Sequence, residues 1–114
     1  MSRLIRVLVG GIGYILSPKK SGAIYLRGQL RRARLPQGEL PAQFYRDASR
    51  YAYDSAIIMA STDPRETRAT HFVDHLDYLA IVVEDALNGD ISPVSAPLRE
   101  IFERYGVPAT AQPG

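Results

Sequence analysis

Apolar residues return every three or four positions through most of the second half of the chain, with polar residues between them. From Pro41 onward, Phe44, Ala48, Tyr51, Ala52, Ser55 and Met59 keep that spacing, which predicts one core-facing stripe on a helix running to about Ser61. A second helix is expected to open at "DPRE": Asp63 suits the N-cap, Pro64 the first helical position, and Glu66 the carboxylate of a capping box. Its stripe is Ala69, Phe72, Val73, Leu76, Leu79, Ala80, Val83, Ala86 and Leu87, and Asn88-Gly89 stops it, because glycine takes the left-handed conformation that a helix end often needs. Beyond the connector "DISPVSAP", Leu98, Ile101, Phe102 and Tyr105 line one side of a shorter helix closed by Gly106 and Pro108.

The first half is less regular. Residues 23–35, "AIYLRGQLRRARL", read as a helix with Ala23, Leu26, Leu30 and Ala33 inward and Arg27, Arg31 and Arg34 outward, interrupted by Gly28. "PQGELP" then breaks the chain before the Pro41 helix. The apolar run "LIRVLVGGIGYIL" fits either a buried strand ending in a turn or a helix. Wound as a helix, it gathers Arg3, Arg6, Gly10 and Gly13 on one slender face. Thirteen residues rising 1.5 Å each reach only about 20 Å, short of the roughly 30 Å of a bilayer core, so a transmembrane span is not expected. No strand pattern of convincing length and no internal repeat appear. The expectation is an all-α, single-domain bundle of four to five helices around a central helical hairpin. It divides into a basic, apolar arm over 1–38, an acidic helical body over 39–106 and a disordered tail over 107–114.

Charge sharpens that division. Residues 1–38 hold eight basic side chains and no acid, whereas the rest of the chain holds six arginines against twelve carboxylates. Such asymmetry predicts an arm that meets an anionic surface, or one that folds back on its own acidic body. Lys19, Lys20, Arg27, Arg31, Arg32 and Arg34 are the candidates for contacting nucleic acid or another anionic surface. Residues 3–16 together with these bases would suit peripheral attachment to an anionic membrane. Ser17-Pro18-Lys19-Lys20 resembles the S-P-K-K units of histone tails, and the resemblance implies a turn presenting two lysines toward the minor groove. The plainer reading of the same residues is an interhelical turn in which Pro18 ends one segment and Gly22 frees the next.

Composition is that of an ordinary globular protein, 46% apolar and 23% charged. The absence of cysteine excludes disulfides, thiolate nucleophiles and Cys-ligated zinc, and suits a cytoplasmic address. Lysines behind the apolar run, without an A-x-A site, fit a signal peptide poorly.

Enzymatic chemistry finds little support. No G-x-S-x-G or G-x-x-x-x-G-K-[ST] occurs, and Leu16 stands where a dinucleotide fingerprint needs its third glycine, so neither a cofactor nor a small-molecule substrate is expected. His71 and His75, one turn apart, could share a metal with Asp54 if the hairpin brought it alongside. The same histidines belong to a second face, His71, His75, Tyr78 and Val82, opposite the core stripe. On the preceding helix Arg46, Arg50, Tyr53 and Ile57 repeat at the same spacing, and arginine with tyrosine is typical interface material. The function expected is that of a non-enzymatic adaptor or regulatory protein. It would bind another protein or a second copy of itself through Arg46, Arg50, Tyr53 and Ile57.

Overall fold

The computed structural model describes residues 18–112, and expectations that fall on residues 3–16 lie outside them. Among the described residues, four helices follow one another: α1 (Pro18–Ala33), α2 (Ala42–Thr62), α3 (Arg68–Leu87) and α4 (Ala96–Arg104), with two-residue strands β1 (Pro93–Val94) and β2 (Thr110–Ala111) on either side of α4. The all-α bundle read from periodicity is the fold. Helices α1, α2 and α3 each pack against the other two, and α4 packs on α2.

Helix α1 begins five residues earlier than its stripe suggests. Pro18, Lys19 and Lys20 are its first described residues, so the interhelical turn expected there is helical from Pro18 onward. Gly22 is not a release point either. It lies buried at the crossing of α1 with α2 and α3, where an added Cβ would fall inside the van der Waals surfaces of Ser49 Oγ and Phe72 Cζ. One turn on, Leu26 and then Leu30 enter the core almost fully buried. On the opposite edge, Tyr25 Oη donates to Asp77 Oδ1 at 2.7 Å and Gln29 Nε2 donates to the same oxygen at 3.0 Å, pinning α1 to α3. The division into arm and body therefore does not describe residues 18–38, whose leucines share one core with the body.

Helix α2 matches its predicted span, but its buried face is wider than one stripe. Phe44, Tyr45, Ala48, Ser49, Ala52 and Ala56 are buried, while Met59, expected inward, is 40% exposed. Three neighbouring helices cover α2, so burial extends around it, and its small residues mark the places of closest approach. Rings of Phe44, Phe102 and Tyr105 meet at 5.8 to 6.0 Å and join α4 to this core.

Helix α3 starts at Arg68 rather than at Pro64. Thr67 is its N-cap, accepting a hydrogen bond from Thr70 N at 3.1 Å. Asp63 instead closes α2, its N–H donating to Met59 O. The reason is the chain reversal: two antiparallel helices need a few residues between them, and a helix opening at Pro64 would leave almost none. The other end of α3 is as expected. Gly89, at φ 96°, lets Gly89 N donate to Ala86 O and Asp90 N donate to Asp85 O, satisfying two orphan carbonyls. Gly106, at φ 77°, ends α4 by the same device, with Val107 N donating to Phe102 O.

Residues 107–112 depart from the disordered tail expected. Val107 is buried against the core, and Thr110–Ala111 pairs in parallel with Pro93–Val94. Gln112 N donates to Val94 O at 3.0 Å. No helix among the described residues is long and apolar enough to cross a membrane.

Candidate interaction groove

The two helices that close tightly at Gly22 diverge on their outer side. There a groove of about 610 Å³ runs between Lys20, Ala23, Ile24 and Arg27 of α1 and Ala42, Gln43, Tyr45, Arg46, Asp47 and Arg50 of α2. Its position follows from the local sequence. Leu26 and Leu30 turn one face of α1 inward, which leaves Lys20, Ile24 and Arg27 on the other side, and Phe44 and Ala48 do the same for Arg46 and Arg50 on α2. Two sets of residues that the sequence places in different roles thus share one groove: the anionic-surface candidates Lys20 and Arg27, and the protein-binding candidates Arg46 and Arg50.

The groove is cationic with an apolar patch. Ile24 is 66% exposed, as Ile58 is on α2, but it is the exposed large aliphatic side chain that lines this groove. Lys20, Arg46 and Arg50 make no hydrogen bond or ion pair among the described residues. The lone acid among the described residues that line the groove, Asp47, is already engaged: it accepts from Tyr105 Oη at 2.6 Å, Gln43 Nε2 at 2.8 Å and Arg104 at 3.3 Å. The Tyr105 hydroxyl above all, then Gln43 and Arg104, hold its carboxyl below the usual range despite partial desolvation. Arg27 is engaged too. Its guanidinium donates to both oxygens of Glu39, at 2.9 and 3.1 Å, and lies 5.9 Å from the centroid of the Tyr45 ring. Arg31 donates to the same carboxylate at 2.7 Å. Hydrogen bonds from Arg27 and then Arg31 lower Glu39 to about 2, and Arg27 is raised in turn.

The remaining candidates are scattered. Arg32 donates to Gln29 of its own helix, and Arg34 is exposed just past the end of α1, at φ 53°. The side chain of Lys19 lies outside the described residues. Tyr53 and Ile57 are half-buried, and Tyr53 stands edge-on to Phe72 with centroids 6.0 Å apart, so this tyrosine has an intramolecular packing role that its spacing does not reveal. Of the second face on α3, His71 and Val82 are buried, His75 is half-buried and Tyr78 is 41% exposed.

The metal triad does not assemble. The buried His71 ring donates from Nε2 to the carbonyl of Asp63 at 3.1 Å, binding the first turn of α3 to the end of α2. His75 lies between the rings of Tyr51 and Tyr78, each 5.4 Å away, and burial pushes its imidazole toward the neutral form. Asp54 is exposed on α2, and no group of three His, Asp or Glu residues among those described is placed to hold a metal.

Ile24 and Tyr45, which line the groove, and Glu39, which lies beside it and holds Arg27, were not singled out by the sequence. Ile24 carried a readable signal, since it falls outside the stripe of Ala23, Leu26 and Leu30. Tyr45 and Glu39 acquire meaning only when α2 lies beside α1. No family model matches the chain, and no curated protein or solved structure matches it either.

Proposed function

We propose that this is a non-enzymatic, cytoplasmic interaction protein that docks an acidic segment of a partner polypeptide in the groove between α1 and α2. The observation that carries this reading is the joining of three unengaged cations, Lys20, Arg46 and Arg50, with an exposed isoleucine in one concave surface. Charge complementarity favours an acidic occupant. Ile24 favours a polypeptide over a nucleic acid, because a phosphate backbone has no use for an aliphatic anchor, whereas an amphipathic helix presents carboxylates and apolar side chains one turn apart. Lys20 and Arg27 lie two turns apart on α1, about 10 Å, with Ile24 midway between them. A helix of matching pattern would seat one apolar residue between two acidic ones.

The test uses a fluorescein-labelled helical peptide alternating Glu and Leu at three- and four-residue spacing, with a duplex DNA of 20 base pairs as competitor. The peptide should bind, and replacing Arg46 and Arg50 together by Gln should weaken it about tenfold, roughly 1.4 kcal/mol. Ile24→Ser should weaken the peptide and leave any DNA binding unchanged. Tighter binding of DNA, with a steep salt dependence that Ile24→Ser does not touch, would transfer the groove to nucleic acid.

A further inference from the structure

Glu39 stands in the loop between α1 and α2, where it is 42% exposed at the side chain and yet holds two arginines at once. Arg27, one of the two, is a groove residue, and Arg31 follows it by one turn on the same helix. The geometry at Arg27 is the two-pronged arrangement by which guanidinium recognises a carboxylate, with Nε on one oxygen and a terminal nitrogen on the other. The carboxylate therefore occupies, from within the chain, the cationic edge that an acidic partner would use.

Resting on the reading of the groove given above, we propose that Glu39 is a resident competitor. It fills Arg27 and Arg31 in the free protein and yields them to an incoming segment that carries closely spaced carboxylates. Three features support this. The Glu39 pair is exposed on both sides, so exchanging one carboxylate for another exposes no new charge to a dry interior and costs little. Glu39, the acceptor, lies in a loop, between the left-handed Arg34 and the left-handed Gly38 on one side and Pro41 on the other, with no helix of its own to break when it swings out. Removing it enlarges the cationic surface available to a partner from Lys20, Arg46 and Arg50 to five side chains, adding Arg27 in the groove and Arg31 one turn beyond it. A segment with a single acid would gain nothing by displacing Glu39, since it would replace one carboxylate with another. A segment with several would gain the whole set. Glu39 thus selects for dense negative charge. Because it remains ionised down to about pH 2, the competition is present at every ordinary pH.

The experiment compares the chain with Glu39→Gln, using the acidic helical peptide described above and a second peptide with one Glu in place of several. Glu39→Gln should raise the affinity of the multiply acidic peptide about fivefold and that of the singly acidic peptide as well, narrowing the preference between them. Arg27→Gln with Arg31→Gln should weaken the multiply acidic peptide and leave the singly acidic one nearly unchanged while Glu39 is present, and should abolish the gain when combined with Glu39→Gln. That non-additivity is the signature of a shared site. Unchanged affinity in Glu39→Gln, or a gain that persists without Arg27 and Arg31, overturns the inference, because the effect would then be absent or merely one of net charge. Failure of the groove reading looks different: Arg46→Gln with Arg50→Gln would leave peptide binding untouched while the Glu39 cycle still responds. Binding by neither the parent chain nor Glu39→Gln overturns both.

Discussion

Gly22 and Gly28 stand six residues apart on the same helix and mean opposite things. At Gly22, α1 is pressed against Ser49 and Phe72 so closely that a single methyl group has no room, while at Gly28 an added Cβ would meet nothing within 4 Å. The helix is thus clamped on one face and free on another, and the groove exists because the clamp is one-sided. Gly22 admits the close approach on the inner side, whereas Lys20, Arg27, Arg46 and Arg50 line the groove on the outer side. The same residue type is a packing requirement in one place and a weakness in the other, since an unneeded helical glycine costs up to about 1 kcal/mol relative to alanine.

The strongest way to break the comparison is to add one methyl group at each position. Gly22→Ala should lower stability by about 2 kcal/mol through overpacking, a fall in melting temperature on the order of 10 °C. Gly28→Ala should raise the melting temperature. If both variants melt higher, the helices are not in close contact at Gly22. Next in size is Tyr53→Ala. Loss of its edge-on contact with Phe72 should cost about 1 to 2 kcal/mol in a denaturant titration, which places this residue with the clamp rather than with the groove. A change below about 0.5 kcal/mol would return it to the surface.

The smallest effect tests the groove wall nearest α4. Asp47 has its carboxyl lowered in the folded state, so its contribution is present above the unfolded carboxylate range and is lost as pH falls through the folded value. Asp47→Asn should therefore cost about 0.5 to 1 kcal/mol at pH 7. Once the pH has fallen below that folded value, it should melt with the parent chain. A gap between the two that stays constant on acidification would show that shape, not charge, holds Tyr105.

Much of this architecture is legible in the sequence, and the parts that are not share a cause. Proline before α2, Asn88-Gly89 after α3 and Gly106 after α4 are local chemistry, fixed by the φ angles a few residues can adopt, and they fall where periodicity puts them. The start of α3 was misplaced because Asp63 and Thr67 are both good caps, and only the geometry of the reversal chooses between them. Ala56 is buried though outside the expected stripe, because a stripe counts one covered face, whereas α2 has three neighbours. The groove depends on two helices lying side by side. Arg46 and Arg50 could be read from α2 alone, and Lys20 and Arg27 from α1 alone, but nothing in either segment says that they face the same space.

The order in which the first three helices pack has a kinetic consequence. Each is joined to the next by a short connection, residues 34–41 and 63–67, and each lies against its sequence neighbour. Contacts between near neighbours close small loops, so little chain entropy must be surrendered before packing begins to compensate, and such topologies assemble in microseconds to milliseconds. The β1–β2 pairing is expected to follow the helices, because its strands flank α4 and are only two residues long. It waits for α4 to dock and for Val107 to find its seat, which makes the Gln112 to Val94 hydrogen bond a late arrival in folding and an early loss when the molecule breathes.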